Sequence, residues 1–361
     1  MDHTDTLIGI QIKGYDIIEE LAHGTYGVVY RGVQKRLNRQ VAVKILSDSL
    51  ARNVNYVKKF HHEAQVAALL THPNVVQAYD VGHAESEHCY FAMELVEGED
   101  IAQKMLRDGK IKWRQALHWM GFVADALDYG MQKNQVTHGD IKPANVMIKT
   151  NGQVKLADLG LACMGGEEKS KDVMLTPYYA APEVIDGSWE IGDPRADMYS
   201  FGATLYHMIT GRPVFESNDF QKILRMHITA KVIDPSVYAS LPSQVSEFIM
   251  RLLSKKREER FHDWREIFAE IHRLLTDNIE NDSNRMSQSN PKTNIDYEKR
   301  RLALQRLKNR KRKKSQALRS YGIGVSVVAI LYFVSDVIIQ SVGGSGTLKI
   351  IQAFVQNFAG G

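Results

Sequence analysis

Six short motifs, in fixed order between residues 21 and 260, leave this chain few folds to choose from. Leu21-Ala22-His23-Gly24-Thr25-Tyr26-Gly27-Val28-Val29 sets small residues between two β-rich runs, where backbone N–H groups can approach phosphate oxygens. Alone, it reads equally as a hairpin turn. Val41-Ala42-Val43-Lys44 ends a hydrophobic run on a lysine. Facing inward, that lysine needs a partner, which Glu63 on the following helical segment can supply. A surface lysine on an edge strand is the other reading of this tetrapeptide. Thr137-His138-Gly139-Asp140-Ile141-Lys142-Pro143-Ala144-Asn145 comes next, and Ala157-Asp158-Leu159-Gly160 follows with Asp158 13 residues after Asn145. One carboxylate to orient a hydroxyl, one to bind Mg²⁺ and an amide for a second metal are what phosphoryl transfer demands. Thr176-Pro177-Tyr178-Tyr179-Ala180-Ala181-Pro182-Glu183 and Asp197-Met198-Tyr199-Ser200-Phe201-Gly202 complete the set.

Around these motifs the pattern changes from β to α. Ile17–Leu21, Val28–Arg31, Gln40–Leu46, Val75–Val81 and His88–Leu95 read as short strands. Residues 56–70 read as a helix that stops before His72-Pro73. After Gly98 the apolar spacing is mostly helical, over 114–133, 195–211 and 243–275. The expected fold class is therefore α+β, with a β-rich front lobe holding one helix and a mostly helical back lobe. The chain divides into a lead (1–14), a main domain (15–275), a polar linker (276–296), a basic segment (297–320), an apolar run (321–342) and a short tail (343–361).

Charge separates the main domain from the C-terminal segments. The net charge is +4, yet residues 292–320 carry 12 Lys/Arg against 2 Asp/Glu. Residues 1–291 carry 33 bases and 39 acids, so the main domain is mildly acidic. The basic segment therefore points to a local anionic partner, lipid or nucleic acid. Cys89 and Cys163 are the only cysteines, which excludes a disulfide framework or a cysteine metal cluster and suits a reducing compartment. Residues 1–14 lack the basic region and apolar run of a signal peptide.

The order and spacing of the motifs resemble the protein-kinase signature set across about 240 residues. Asp140-Ile141-Lys142-Pro143-Ala144-Asn145 is similar to the Ser/Thr-kinase catalytic loop. His72-Pro73-Asn74-Val75-Val76 and Met93-Glu94-Leu95-Val96-Glu97-Gly98 look most like bacterial receptor-type Ser/Thr kinases. The resemblance implies a bilobal protein-kinase fold that moves the γ-phosphoryl of ATP to Ser/Thr hydroxyls of proteins, including its own. By that resemblance Asp140 is the catalytic base and Lys142 neutralises the γ-phosphate. Asn145 and Asp158 hold Mg²⁺, or Mn²⁺ in its place. Lys44, positioned by Glu63, holds the α- and β-phosphates under the Gly24–Gly27 loop. Leu21, Val29, Ala42 and Met147 enclose the adenine against the hinge Glu94–Val96, with Met93 behind it. Thr176 lines the acceptor site, Glu183 pairs with Arg260, and Asp197 braces the catalytic loop. The chain departs from the family pattern at Ala22, Ala67, Gly139 and Leu159. Gly139 stands where many kinases place an arginine that grips a phosphorylated activation loop. The opposing reading is an inactive scaffold, whose mark is loss of the lysine, base or metal aspartate. Lys44, Asp140, Asn145 and Asp158 are all present.

The apolar run 321–342 holds 12 of Val, Ile, Leu and Phe, enough for about −4 to −7 kcal/mol of insertion free energy. Asp336 opposes this. A single transmembrane helix is expected, with the basic segment and main domain on the cytoplasmic side of the inner membrane by the positive-inside rule. Its partners are then protein substrates, membrane lipid and a second copy as homodimer, and nucleic acid is not expected. A buried or amphipathic helix packed on a partner is the competing reading of the run.

Overall fold

Strands and turns dictated by the first 94 residues build the front lobe. The computed structural model describes residues 7–24, 27–83, 88–159, 162–164 and 176–289, with only the backbone for 277–289. Strands β1 (Gln11–Ile12), β2 (Tyr15–His23), β3 (Gly27–Gln34), β4 (Arg39–Leu46), β5 (Ala78–His83) and β6 (Cys89–Glu94) form one antiparallel sheet in the order β1-β2-β3-β4-β6-β5. A short helix α1 (Asp48–Ala51) precedes α2 (Val54–Leu69), whose N-terminus is capped by Asn53 accepting from the Asn55 N–H.

The register of the sheet decides which side chains reach the cleft. Val29 pairs with Lys44, and Ala42 pairs with Met93. Directly opposed residues share a face, as do residues two apart along a strand. Val29, Ala42, Lys44 and Met93 therefore stand on one face of the sheet. Leu21 sits at a bulge in β2, between the paired residues Glu20 and Ala22, and is exposed. Gly27 is required by a close approach: a Cβ there would lie 1.9 Å from the Ile45 carbonyl oxygen.

The same face buries the apolar side of α2. Phe60, Ala64 and Ala67 pack with Phe91, Leu159 and the partly buried Met93. Ala67, small as it is, is buried in that cluster.

The back lobe begins with β7 (Gly98–Asp100) and α3 (Ile101–Asp108), joined by a reciprocal cap between Asp100 and Gln103. It continues through α4 (Trp113–Asn134), β8 (Val136–Thr137), β9 (Val146–Lys149), β10 (Val154–Leu156), β11 (Cys163–Met164), α5 (Pro182–Ile185), α6 (Arg195–Thr210), α7 (Phe220–Thr229), α8 (Ser243–Leu252) and α9 (Trp264–Ser289). Helix α6 is the spine of this lobe. All but three of its 16 residues are buried, including Tyr199, Phe201 and Tyr206. They meet α4, α8 and Trp264 in one large core.

Two features depart from the sequence reading. Residues 243–275 form two helices rather than one apolar-periodic segment, because Arg260 turns inward between them. It donates to the carbonyls of Ser254 at 2.9 Å and Lys255 at 3.3 Å, just past the end of α8. In addition, α9 continues to Ser289, into the stretch where apolar periodicity is lost. Among the described residues no helix is long and apolar enough to cross a membrane. The apolar run 321–342 and the basic segment lie outside the described residues.

Candidate active site

A loop between β8 and β9 carries the central carboxylate, and two tiny sheets hold that loop in place. Strand β8 pairs with β11, and β9 pairs with β10 and β7. Buried Asp197 on α6 accepts the backbone N–H of His138 at 2.6 Å and of Gly139 at 2.8 Å. Burial pushes its carboxyl above the usual range, and His138 and these N–H groups pull against that shift. Thr204, also on α6, donates to the Ile141 carbonyl at 3.1 Å. His138 Nε2 lies 3.2 Å from the Ala157 carbonyl, which ties the loop to the residue before Asp158.

Gly139 has φ +77°, the left-handed region that costs a side chain about 1–2 kcal/mol. Glycine thus relieves strain at this position of the loop. Gly139→Ala should lower stability by about 1 kcal/mol or more on denaturant titration. An unchanged midpoint would contradict this.

On this platform the Asp140 carboxylate gathers three side chains. Thr176 donates its hydroxyl to Oδ1 at 2.7 Å. The Lys142 ammonium lies 2.6 Å from Oδ2 and donates to Thr176 Oγ1 at 3.4 Å. Asn145 donates its amide nitrogen to the Asp140 carbonyl at 2.8 Å and to Oδ2 at 3.2 Å. An asparagine ligates hard cations through its oxygen, so this use of its nitrogen is compatible with metal binding.

Across the cleft, Lys44 Nζ lies 2.8 Å from both oxygens of Glu63 and 3.6 Å from Asp158 Oδ1. Burial pulls the ammonium down, but the two carboxylates outweigh it and hold its pKa above the usual lysine range. Burial pushes the Glu63 carboxyl up, against the pull of Lys44. Asp158 keeps a half-exposed side chain and a left-handed backbone, φ +61°. That conformation is unusual for a residue other than glycine and is found where surrounding structure over-determines it.

The hinge contains a contact the sequence reading missed. Glu94 turns its carboxylate to Lys149 at 2.7 Å and Lys155 at 2.6 Å. Lys155 is buried and also donates to the Val75 carbonyl at 3.1 Å. The two lysines hold the carboxylate ionised against its burial. This fastens β6 of the front lobe to β9 and β10 of the back lobe. A lysine between buried Val154 and Leu156 was the available signal. Val96 is buried just beyond, and Met147 is partly buried on β9. Gly24 is exposed and donates its N–H to the Gly27 carbonyl at 2.9 Å, while Thr25 and Tyr26 lie outside the described residues.

The Glu183–Arg260 pair is bidentate, at 2.5 and 2.8 Å, and fully enclosed. Beside it Tyr199, whose ring faces Arg260, shares a hydrogen bond of 2.9 Å with His227, and further along α6 His207 shares one of 2.8 Å with Tyr179. Burial pulls His207 down to about 4, and burial with Lys255 pulls His227 down to about 3. Both are neutral in the folded state and charge in the unfolded chain near pH 6.5. Their stability contribution is thus full above pH 6.5 and falls away as the pH drops toward 4 and 3. His227→Phe should flatten the loss of stability between pH 6.5 and 4.5, and an identical slope in the variant would contradict the assignment.

Residues 15–271 match the family described as protein kinase domain. The chain belongs to the protein kinase family. Its kinase domain is 32% identical over 269 residues to the serine/threonine-protein kinase PknB of Mycobacterium tuberculosis, covering 72% of this chain and 42% of that protein. PknB of Mycolicibacterium smegmatis is 30% identical over 348 residues, 92% of this chain and 55% of that protein. The chain spans about half the length of the curated relatives it matches. The crystal structure of the Mycobacterium tuberculosis PknI kinase domain is similar in fold, with a TM-score of 0.59 and 26% identity. That match covers 74% of this chain and 98% of the other. The two-lobed architecture is thus the protein-kinase fold.

Proposed function

We propose that this kinase transfers the γ-phosphoryl of ATP to Ser and Thr hydroxyls of proteins, its own chain included. The observation that carries this reading is the cluster of Asp140, Lys142 and Thr176. It holds a hydroxyl 2.7 Å from a carboxylate oxygen with an ammonium beside both. That is the arrangement a base needs to orient an attacking hydroxyl while a cation offsets charge on the transferred group.

The other residues divide the substrate between them. Lys44, kept charged by Glu63, binds the α- and β-phosphates, and the Gly24–Gly27 backbone covers them. Leu21, Val29, Ala42 and Met147 enclose the adenine, with Met93 behind it and the Glu94–Val96 backbone at its edge. Asn145 and Asp158 hold Mg²⁺, with Mn²⁺ as a substitute, and the ion when bound offsets phosphate charge. Positioning and charge, rather than covalent chemistry by the protein, supply the rate.

The reading is tested by incubating the full chain with Mg²⁺-ATP and a basic protein substrate, then mapping phosphosites by mass spectrometry. Phosphoserine and phosphothreonine on the substrate are expected. On the chain itself Ser283, Ser287, Ser289 and Thr293 are the candidate acceptors. Recovery of no phosphosite would restore the scaffold reading.

Gly139 supports activity that does not depend on loop phosphorylation, since no arginine stands there to grip a phosphate. Ser170 is the only Ser or Thr in segment 161–175. Ser170→Ala should keep kcat within about threefold, and a loss of tenfold or more, about 1.4 kcal/mol, would defeat the idea.

The apolar run 321–342 anchors the kinase at the inner face of the cytoplasmic membrane, and the basic segment before it meets anionic lipid headgroups. Homodimerisation at that surface is the corresponding assembly. Retention in the membrane pellet after alkaline carbonate washing is expected, and recovery in the soluble fraction would rule out a span.

A further inference from the structure

Helix α2 grips the segment after Asp158 through a side chain that the phosphate-handling cluster does not use. His62 immediately precedes Glu63 on α2. Consecutive helical residues stand about 100° apart around the axis, so the two side chains reach different neighbours. Glu63 meets Lys44 on β4, and the His62 Nε2 lies 3.2 Å from the carbonyl oxygen of buried Ala162. A carbonyl only accepts, so the His62 Nε2–H is the donor.

Ala162 closes the turn just past Asp158. Its N–H donates to the Leu159 carbonyl at 3.0 Å, and β11 begins at the next residue. On the other side of Asp158, His138 Nε2 meets the Ala157 carbonyl at 3.2 Å. The backbone on the two sides of Asp158 is thus held by two imidazoles, one from the back-lobe loop and one from the front-lobe helix. Between them Asp158 keeps its left-handed φ of +61°. A backbone of that kind persists where its surroundings over-determine it. His62 is the part of this restraint that α2 carries.

We propose that His62 is a positioning residue for Asp158, and that it makes the seating of α2 and the shape of this turn one event. If α2 shifts, Glu63 leaves Lys44 and the Ala162 carbonyl loses its His62 donor together. A buried carbonyl deprived of a donor is unfavourable, so the turn has to rearrange with the helix. In the arrangement seen, Asp158 Oδ1 is 3.6 Å from the same Lys44 ammonium that Glu63 holds at 2.8 Å. The contacts therefore close on themselves, from Lys44 to Glu63, along α2 to His62, across to Ala162 and back to Asp158. The consequence for the metal rests on the Mg²⁺ role proposed for Asp158 above, whereas the restraint on the turn does not.

The test uses the full chain as wild type, His62→Leu and His62→Gln. Leucine keeps bulk and removes the donor, whereas a glutamine amide nitrogen stands about as far along the side chain as an imidazole Nε2 and restores it. Hydrogen exchange without metal or nucleotide reads the Ala162 amide, which the turn protects. That amide should exchange about tenfold faster or more in His62→Leu, and within about threefold of wild type in His62→Gln. Mn²⁺ is then titrated by water-proton relaxation in the presence of a non-hydrolysable ATP analogue. Its Kd should rise about fivefold or more in His62→Leu and stay within about twofold in His62→Gln. Equal exchange in all three proteins, or a glutamine variant as impaired as the leucine one, would overturn the restraint. Faster exchange with an unchanged Mn²⁺ Kd would leave His62 a structural contact and overturn its positioning role. Asp158→Asn in the same titration separates the two readings. A wild-type Kd in that variant would remove Asp158 from the metal, and the exchange measurement would still decide whether His62 restrains the turn. Neither readout requires phosphoryl transfer, so failure here is separable from failure of the kinase assignment.

Discussion

Asp140→Asn should lower kcat by about 10²–10⁴-fold while the KM for ATP changes less than threefold. The substitution is nearly isosteric, but it replaces one carboxylate oxygen by a donor. Asp140 uses Oδ1 for the Thr176 hydroxyl and Oδ2 for Lys142 and Asn145. An amide can offer one side an oxygen and must present N–H₂ to the other. It therefore loses the negative charge that orients an attacking hydroxyl, and where its N–H₂ faces Thr176 that hydroxyl must turn from donor to acceptor. The ATP phosphates are assigned to Lys44 and the glycine loop, which this change does not touch. Steady-state kinetics with varied ATP and varied protein substrate separates the two effects. A kcat within threefold of wild type would remove Asp140 from the chemistry.

Lys44→Met should reduce kcat/KM for ATP at least 100-fold and also cost about 3–5 kcal/mol of stability. Two different physical effects act at once. The first is loss of the cation proposed to meet the α- and β-phosphates. The second is a buried Glu63 carboxylate left without the ammonium now 2.8 Å from both its oxygens. Protonation of Glu63 softens the second effect, because burial already pushes its pKa up. Adding Glu63→Gln to Lys44→Met separates them. The double variant removes the unpaired charge, so it should recover most of the lost stability and none of the lost activity. Denaturant titration and ATP kinetics on the two variants provide the check. Recovery of both quantities together would show that Lys44 acts only as a structural pair.

The residues legible in the sequence were those whose chemistry is local in the chain. Asp140, Lys142 and Asn145 fall within six residues, and the fold gathers them around one carboxylate. Lys44 and Glu63 were legible as a strand-ending lysine and a helix acid, and they meet. What the sequence hid depends on pairings between distant segments. Strands β8 and β11 are two residues each, too short for alternation to register, yet they fix the ends of the loop around Asp140 and Asp158. Lys149 and Lys155 reach Glu94 from 55 and 61 residues away. The break between α8 and α9 falls at Arg260; its pairing with Glu183, 77 residues earlier, was implied by the resemblance, but apolar periodicity could not report the break. The positive φ of Gly139 was likewise invisible, although glycine is the residue such a backbone favours.

The central claim is that this chain moves phosphate from ATP onto protein hydroxyls through Asp140. It is tested most directly by label transfer from γ-labelled ATP, with Mg²⁺, in wild type and Asp140→Asn side by side, followed by phosphoamino-acid analysis. The account predicts label on serine and threonine in the wild type, chelator-sensitive, and at least 100-fold less in the variant. Equal label in both proteins, or label confined to tyrosine, would contradict it.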